Sequence, residues 1–256
     1  MIRKVYSDGH AKTWFGNVTR YVVRGASRKG VGRSLNQDRF LVHGRIVGGS
    51  ETEEVEEIVD DHSLIIVADG MGGHEDGEVA SNLALRSLKE SISRILAPDF
   101  DLVAVAVQKA HQELKDNQLR FGARPMGTTI AGLWLHAKSA IWFNVGDSRV
   151  YQFTDGEAVQ LSKDDKYDSG AFKSSVITQC IGPANLSDPK PHIGEVSEPA
   201  DGYVLVSDGI SDFVSAELIS RAFFDEGAVP SDVCDLAAQA GGTDDMTCIS
   251  VIPWDV

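Results

Sequence analysis

Between residues 129 and 161 four short apolar runs follow one another with almost no chain between them. They span residues 129–136, 140–145, 150–153 and 158–161, and the links are His136-Ala137-Lys138, Gly146-Asp147-Ser148 and Thr154-Asp155-Gly156. A parallel crossover needs a dozen residues or more, so links this short restrict the strands to antiparallel neighbours and predict a meander. Runs at 21–24, 39–43, 64–68, 203–207 and 247–252 read as further strands. Residues 77–96 put Val79, Leu83, Leu88, Ile92 and Ile95 at helical spacing opposite Glu, Lys and Arg, and Pro98-Asp99 close that helix. Residues 102–119 repeat the pattern, Ser215 caps a helix over 216–224, and Pro230-Ser231 opens another over 232–240. Two helices, a run of strands and two more helices do not alternate as a doubly wound sheet does. The order predicts an α+β fold, an antiparallel sandwich with helix pairs on its outer faces.

The 256 residues are 42% hydrophobic, enough core for one domain over 1–256. A net charge of −14 argues against non-specific binding to nucleic acid or anionic membrane. Part of that charge lies in residues 51–61 (ETEEVEEIVDD), read as a solvated acidic loop or hairpin insertion over about 44–62. Cys180, Cys234 and Cys248 are far apart and form no CxxC pair, which suggests neither zinc nor a disulfide framework. No signal-like apolar segment follows Met1, and no run approaches the ~20 apolar residues of a membrane span, so a soluble, cytoplasmic, monomeric protein is expected.

The chemistry is announced by two strand-like runs that stop on Asp-Gly: Leu64-Ile65-Ile66-Val67-Ala68-Asp69-Gly70 and Tyr203-Val204-Leu205-Val206-Ser207-Asp208-Gly209. A third acidic cluster, Gly242-Thr243-Asp244-Asp245-Met246-Thr247, precedes the last run. A buried strand ending this way holds a carboxylate at the sheet rim, and the glycine lets the backbone turn away. Such carboxylates brought together repel unless a cation sits among them. Oxygen ligands without His or Cys point to Mg²⁺ or Mn²⁺.

Together with Gly25-Ala26-Ser27, Gly32-Arg33-Ser34-Leu35-Asn36-Gln37-Asp38, Val67-Ala68-Asp69-Gly70-Met71-Gly72-Gly73-His74, Met126-Gly127-Thr128-Thr129 and Val145-Gly146-Asp147-Ser148-Arg149, these motifs resemble the bacterial form of the protein phosphatase 2C (PPM) family. The resemblance runs from about residue 21 to the C-terminus. It implies a four-layer α-β-β-α sandwich and a metal-dependent phosphoserine/phosphothreonine phosphatase. It further implies two core Mn²⁺ or Mg²⁺ ions, a third weaker one, and in-line attack by a metal-bridging hydroxide. Asp69 would bridge the core ions, the Gly70 carbonyl would help hold the second, and Asp208 and Asp244 would complete the first. Asp38 would act near the second ion through water, and Asp147 with Asp208 would build the third site. Arg33 would grip the substrate phosphate, a task that suits a bidentate guanidinium, and His74 would protonate the leaving alkoxide. Thr128 and Thr129 read as strand-entry residues, and Arg28, Lys29 and Arg39 as surface charges. Phosphoproteins made by a cognate Ser/Thr kinase would be the substrates.

Two departures from the family pattern stand out. Asp245 occupies a position where many relatives carry Asn, which leaves open which of Asp244 and Asp245 coordinates. The flap, about residues 164–176, is short, and Asp164-Asp165-Lys166 replaces its usual Asp-His-Ser. An inactive, phosphoprotein-binding relative is the alternative, but every core ligand is present. A phosphate-cradling nucleotide site at Gly70-Met71-Gly72-Gly73 lacks the GK[ST] ending of a P-loop.

Overall fold

Ile66 and Val67 are neighbours in one strand, and both are completely buried, on opposite faces of the same sheet. A strand of this kind needs cover on both sides, which is why its sequence is an unbroken apolar run instead of an alternating one. A computed structural model of the chain describes residues 20–72, 76–92, 98–121, 125–136, 139–168, 173–182, 187–196 and 200–254. It opens with β1 (Arg20–Arg28), β2 (Arg39–Val42), β3 (Arg45–Val47), β4 (Thr52–Asp60), β5 (Leu64–Ala68) and β6 (Gly70–Met71). The pair α1 (Asp76–Ile92) and α2 (Phe100–Phe121) leads into β7 (Gly127–Thr128), β8 (Ile130–His136), β9 (Ser139–Val145), β10 (Arg149–Thr154) and β11 (Glu157–Gln160). Then come β12 (Lys166–Asp168), β13 (Lys173–Ile177), β14 (His192–Val196) and β15 (Gly202–Val206). The chain closes with α3 (Asp208–Ser211), α4 (Ala216–Phe224), α5 (Pro230–Gln239) and β16 (Met246–Pro253).

Two antiparallel sheets result, in the orders β11-β10-β15-β16-β1-β4 and β14-β9-β8-β5-β2-β3. Between them lies a middle layer with Val23, Phe40, Ile65, Val67, Leu133, Val150, Leu205 and Ile249. Leu64, Ile66 and Trp134 face outward from the second sheet onto Leu85, Leu88, Val107 and Leu114 of α1 and α2. Val204, Val206 and Phe153 face outward from the first sheet onto Ile210, Ile219, Val233 and Ala237 of α3 to α5. This is the expected four-layer sandwich. Asp99 Oδ1 accepts the Asp101 and Leu102 N–H groups at 2.7 and 3.2 Å at the start of α2, and Ser215 Oγ accepts the Leu218 N–H at 3.3 Å at the start of α4. Among the described residues no helix is long and apolar enough to cross a membrane.

The structure corrects the sequence reading in two places. The expected meander is broken at Gly146-Asp147-Ser148. Strands β8 and β9 pair, as do β10 and β11, but β9 and β10 belong to different sheets. The edges they would offer each other are taken by β14 and β15, so the short link is a crossing between sheets. Gly146 makes it possible with φ +97°, and a Cβ there would collide with the Thr129 side chain. The acidic segment is no solvated loop either: residues 52–60 form β4, the edge strand beside β1. Its glutamates line an edge where charge discourages further pairing, while Val59 is buried in the middle layer.

Leu88→Ala removes a fully buried side chain from the layer between α1 and the second sheet. It should cost about 2–5 kcal/mol, read as a lower urea midpoint at unchanged slope. A loss near zero would contradict this packing.

Candidate metal centre at the rim of the sandwich

Five of the aspartates singled out in the sequence come to one end of the sandwich, each delivered by a different link. Asp38 precedes β2 and Asp69 follows β5, both in one sheet; Asp208 follows β15 and Asp244 precedes β16, both in the other. Asp147 rides the crossing between β9 and β10. The cluster therefore straddles the mouth of the middle layer. At the Asp-Gly pairs the glycines have no positive φ, so it is space that demands them. A Cβ on Gly70 would collide with the Gly77 and Gln37 carbonyls, and one on Gly209 with that of Asp245.

Asp38 is fully buried, and its Oδ2 accepts the hydroxyls of Ser207 at 2.8 Å and Thr247 at 2.7 Å. Its Oδ1 has no partner. Burial, with Asp245 beside it, pushes this carboxyl up to about 8. Burial likewise raises Asp69 well above the usual carboxylate range, reinforced by Asp38, Asp208 and Asp244. Asp69 is held through its backbone: its carbonyl accepts the Thr129 N–H at 2.9 Å and the Thr128 hydroxyl at 2.8 Å. Asp208 is raised to about 6, by burial first and then by Asp147. Its Oδ1 and Asp147 Oδ1 accept no hydrogen bond, while Asp147 Oδ2 meets the Lys166 ammonium at 3.0 Å. Burial raises Asp147, and Lys166 opposes that rise.

The two adjacent aspartates separate cleanly. Asp245 is buried with both oxygens occupied, Oδ1 by the Gly30 N–H and Oδ2 by the Gln37 N–H, each at 2.8 Å. It clamps the loop that carries Arg33. Asp244 is partly open, and its Oδ1 meets the Arg33 guanidinium. Arg33 also lines an open groove of about 580 Å³ with Arg28, Lys29, Glu51 and Asp235. Arg28 and Lys29 are surface charges paired with Asp235 and Glu51. Arg39 is not: it is 4% exposed, donates to the Asn36 and Asp38 carbonyls at 2.8 and 2.7 Å, and pairs with Glu78 at 2.7 Å. It fixes the turn that presents Asp38. His74 lies outside the described residues, as do residues 169–172 of the expected flap.

Ser207, Thr247, Arg39 and Asp165 were not singled out in the sequence as parts of the site. The first two stand inside the quoted motifs, so hydroxyls flanking the acidic ligands were the available signal. Asp165 carries no such signal, because its role depends on what folds against it. Its side chain accepts the Gly146 backbone N–H at 2.9 Å and the Gln179 side-chain amide Nε2–H at 2.8 Å, and meets His192 Nε2 at 2.9 Å.

Among the described residues no three acidic, His or Cys side chains are arranged as a metal ion would need them. The donor set nonetheless fits hard divalent cations: the candidate ligands offer only oxygen, and Asp38, Asp147 and Asp208 each bury an oxygen without a hydrogen-bond donor. The Arg33 guanidinium and Lys166 ammonium stand among the carboxylates.

The protein-family model described as protein phosphatase 2C matches residues 53–240. The serine/threonine protein phosphatase PstP of Mycobacterium tuberculosis is 29% identical over 258 residues, covering 93% of this chain and 46% of PstP, so the chain spans about half of that relative's length. Protein phosphatase PhpP of Streptococcus pneumoniae is 28% identical over 211 residues, covering 72% of this chain and 83% of PhpP. Among solved structures, the catalytic domain of PstP in complex with two manganese ions superposes with a TM-score of 0.71 at 28% identity, covering 92% of this chain and all of that one.

The buried carboxyls hold protons in the folded chain that the unfolded chain has already released. Without metal, their contribution is therefore most favourable near pH 4 and is lost as pH rises toward 8. Mn²⁺ should raise Tm more at pH 8 than at pH 5, measured against the chelator-treated protein. Asp38→Asn should raise the metal-free Tm at pH 8, by about 2–4 °C for each kcal/mol of penalty removed. An Mn²⁺ shift independent of pH would contradict the account.

Proposed function

Because the chain belongs to the protein phosphatase 2C family, we propose that it is a metal-dependent phosphoprotein phosphatase that hydrolyses phosphoserine and phosphothreonine. The observation that carries this reading is the convergence of five aspartates from both sheets at one rim, with buried oxygens lacking donors. When bound, two Mn²⁺ or Mg²⁺ ions acidify a water for in-line attack on phosphorus and neutralise charge on the phosphoryl oxygens. Asp69 and the Gly70 carbonyl would help hold the pair, with Asp208 and Asp244 as the further ligands. Asp244 is preferred over Asp245 because both oxygens of Asp245 are taken by backbone donors. Asp38, anchored through Oδ2, has Oδ1 free and would use it to orient a water at the centre.

Arg33 receives the substrate phosphate. A dianionic phosphate offers the guanidinium a bidentate partner, so substrate exchanges Arg33 from Asp244 to itself and frees a carboxylate oxygen in the same motion. His74, by its match to the family motif, protonates the leaving alkoxide. The substrates are phosphoproteins supplied by a Ser/Thr kinase, and the enzyme acts as a cytoplasmic monomer.

Mn²⁺-dependent hydrolysis of an aryl phosphate tests the reading. Turnover should vanish with chelator and with Asp208→Asn; persistence in chelator would overturn the metal-dependent mechanism. Arg33→Ala should raise KM about 10- to 100-fold, the worth of a charge-assisted hydrogen bond to phosphate. His74→Ala should slow poor leaving groups more than good ones, and equal losses would remove its acid role.

A further inference from the structure

Lys166 opens β12 and reaches back to the rim. Its ammonium lies 3.0 Å from Asp147 Oδ2 and 3.1 and 3.4 Å from the two oxygens of Asp212. Asp147 is 1% exposed and the Lys166 side chain only 18%. Asp212 sits one helical turn beyond Asp208, and both Asp147 and Asp212 act electrostatically on Asp208. The ammonium is therefore enclosed by carboxylates at the outer flank of the metal centre.

The backbone that delivers Lys166 is fixed to the same turn that carries Asp147. The Asp165 N–H donates to the Gly146 carbonyl at 2.9 Å, and Asp165 Oδ2 accepts the Gly146 N–H at 2.9 Å. Asn144 braces the neighbouring residue, donating to the Lys163 carbonyl at 2.8 Å and accepting the Lys163 N–H at 3.1 Å. Lys166 also pairs with Ile177 across the β12–β13 ribbon. The backbone that presents the ammonium is thus fixed, and the ammonium itself meets Asp147 and Asp212.

We propose that the Lys166 ammonium is a tethered cation standing in for a third divalent ion at Asp147, so that this chain binds two ions where the family pattern implies three. The inference rests on the metal-dependent phosphatase reading above. A third ion needs the oxygens of Asp147, and it would have to displace a cation that is covalently attached and enclosed by two carboxylates. The same contact ties the base of the flap to the metal centre without recruiting an ion from solution.

Counting bound Mn²⁺ by native mass spectrometry and equilibrium dialysis at millimolar Mn²⁺ tests this. The wild type and Lys166→Arg, which keeps the charge, should each hold two ions, and Lys166→Met should hold three. Three ions on the wild type, or two on folded Lys166→Met, would overturn the role of the lysine and leave the phosphatase reading intact. The wild-type count alone decides if the Met variant does not fold. Fewer than two ions on the wild type, with no aryl phosphate turnover, would overturn both.

Discussion

One carboxylate joins the two sheets at their functional end. Asp38 leads into a strand of one sheet and accepts hydroxyls from Ser207 and Thr247, which belong to the strand ends of the other. Apolar packing across the middle layer is non-directional and would tolerate some sliding of one sheet over the other. Hydrogen bonds are directional, so they fix the alignment at the point where it matters. Asp245 adds a second clasp by holding the loop between Gly30 and Gln37. Arg39 adds a third beneath the turn of Asp38.

The cluster is costly as well as useful. Asp38, Asp69 and Asp208 are all held above the usual carboxylate range, chiefly by burial. A fold that tolerates this stores unfavourable electrostatics that a divalent cation relieves. Arg33 and Lys166 relieve part of it from within the chain, and they differ in kind. Arg33 is 43% exposed and bonded to an open carboxylate, so it is free to change partners. Lys166 is enclosed against a carboxylate with almost no exposure, which suits a group that stays.

Much of this could be read from the sequence. Helices α1, α2, α4 and α5 followed from apolar spacing and their caps, and the Asp-Gly strand ends located Asp69 and Asp208. Where the reading failed, the cause was long-range pairing. The link at Gly146-Asp147-Ser148 has the composition of a hairpin turn, and nothing local reveals that the edges of β9 and β10 are claimed by β14 and β15. The segment of β4 is dominated by glutamate, which is depleted in strands, and only the backbone of β1 makes it one. Arg39 looked like one of several basic residues near Arg33, and its burial depends on Glu78 arriving from α1.

The crossing at Asp147 has a consequence for how distant changes reach the chemistry. Because the chain passes from sheet to sheet within three residues, Asp147 records the offset between the sheets as a pointer records the slip between two plates. A cavity opened in the middle layer, for instance beneath Leu133 or Leu205, would let the plates settle by a fraction of an ångström. Asp69 would travel with one plate, Asp208 with the other, and Asp147 with neither. Substitutions with no contact to the rim would then register as altered spacing between ligands, and the thermal stability of this sandwich and the geometry of its ion site could not be tuned separately.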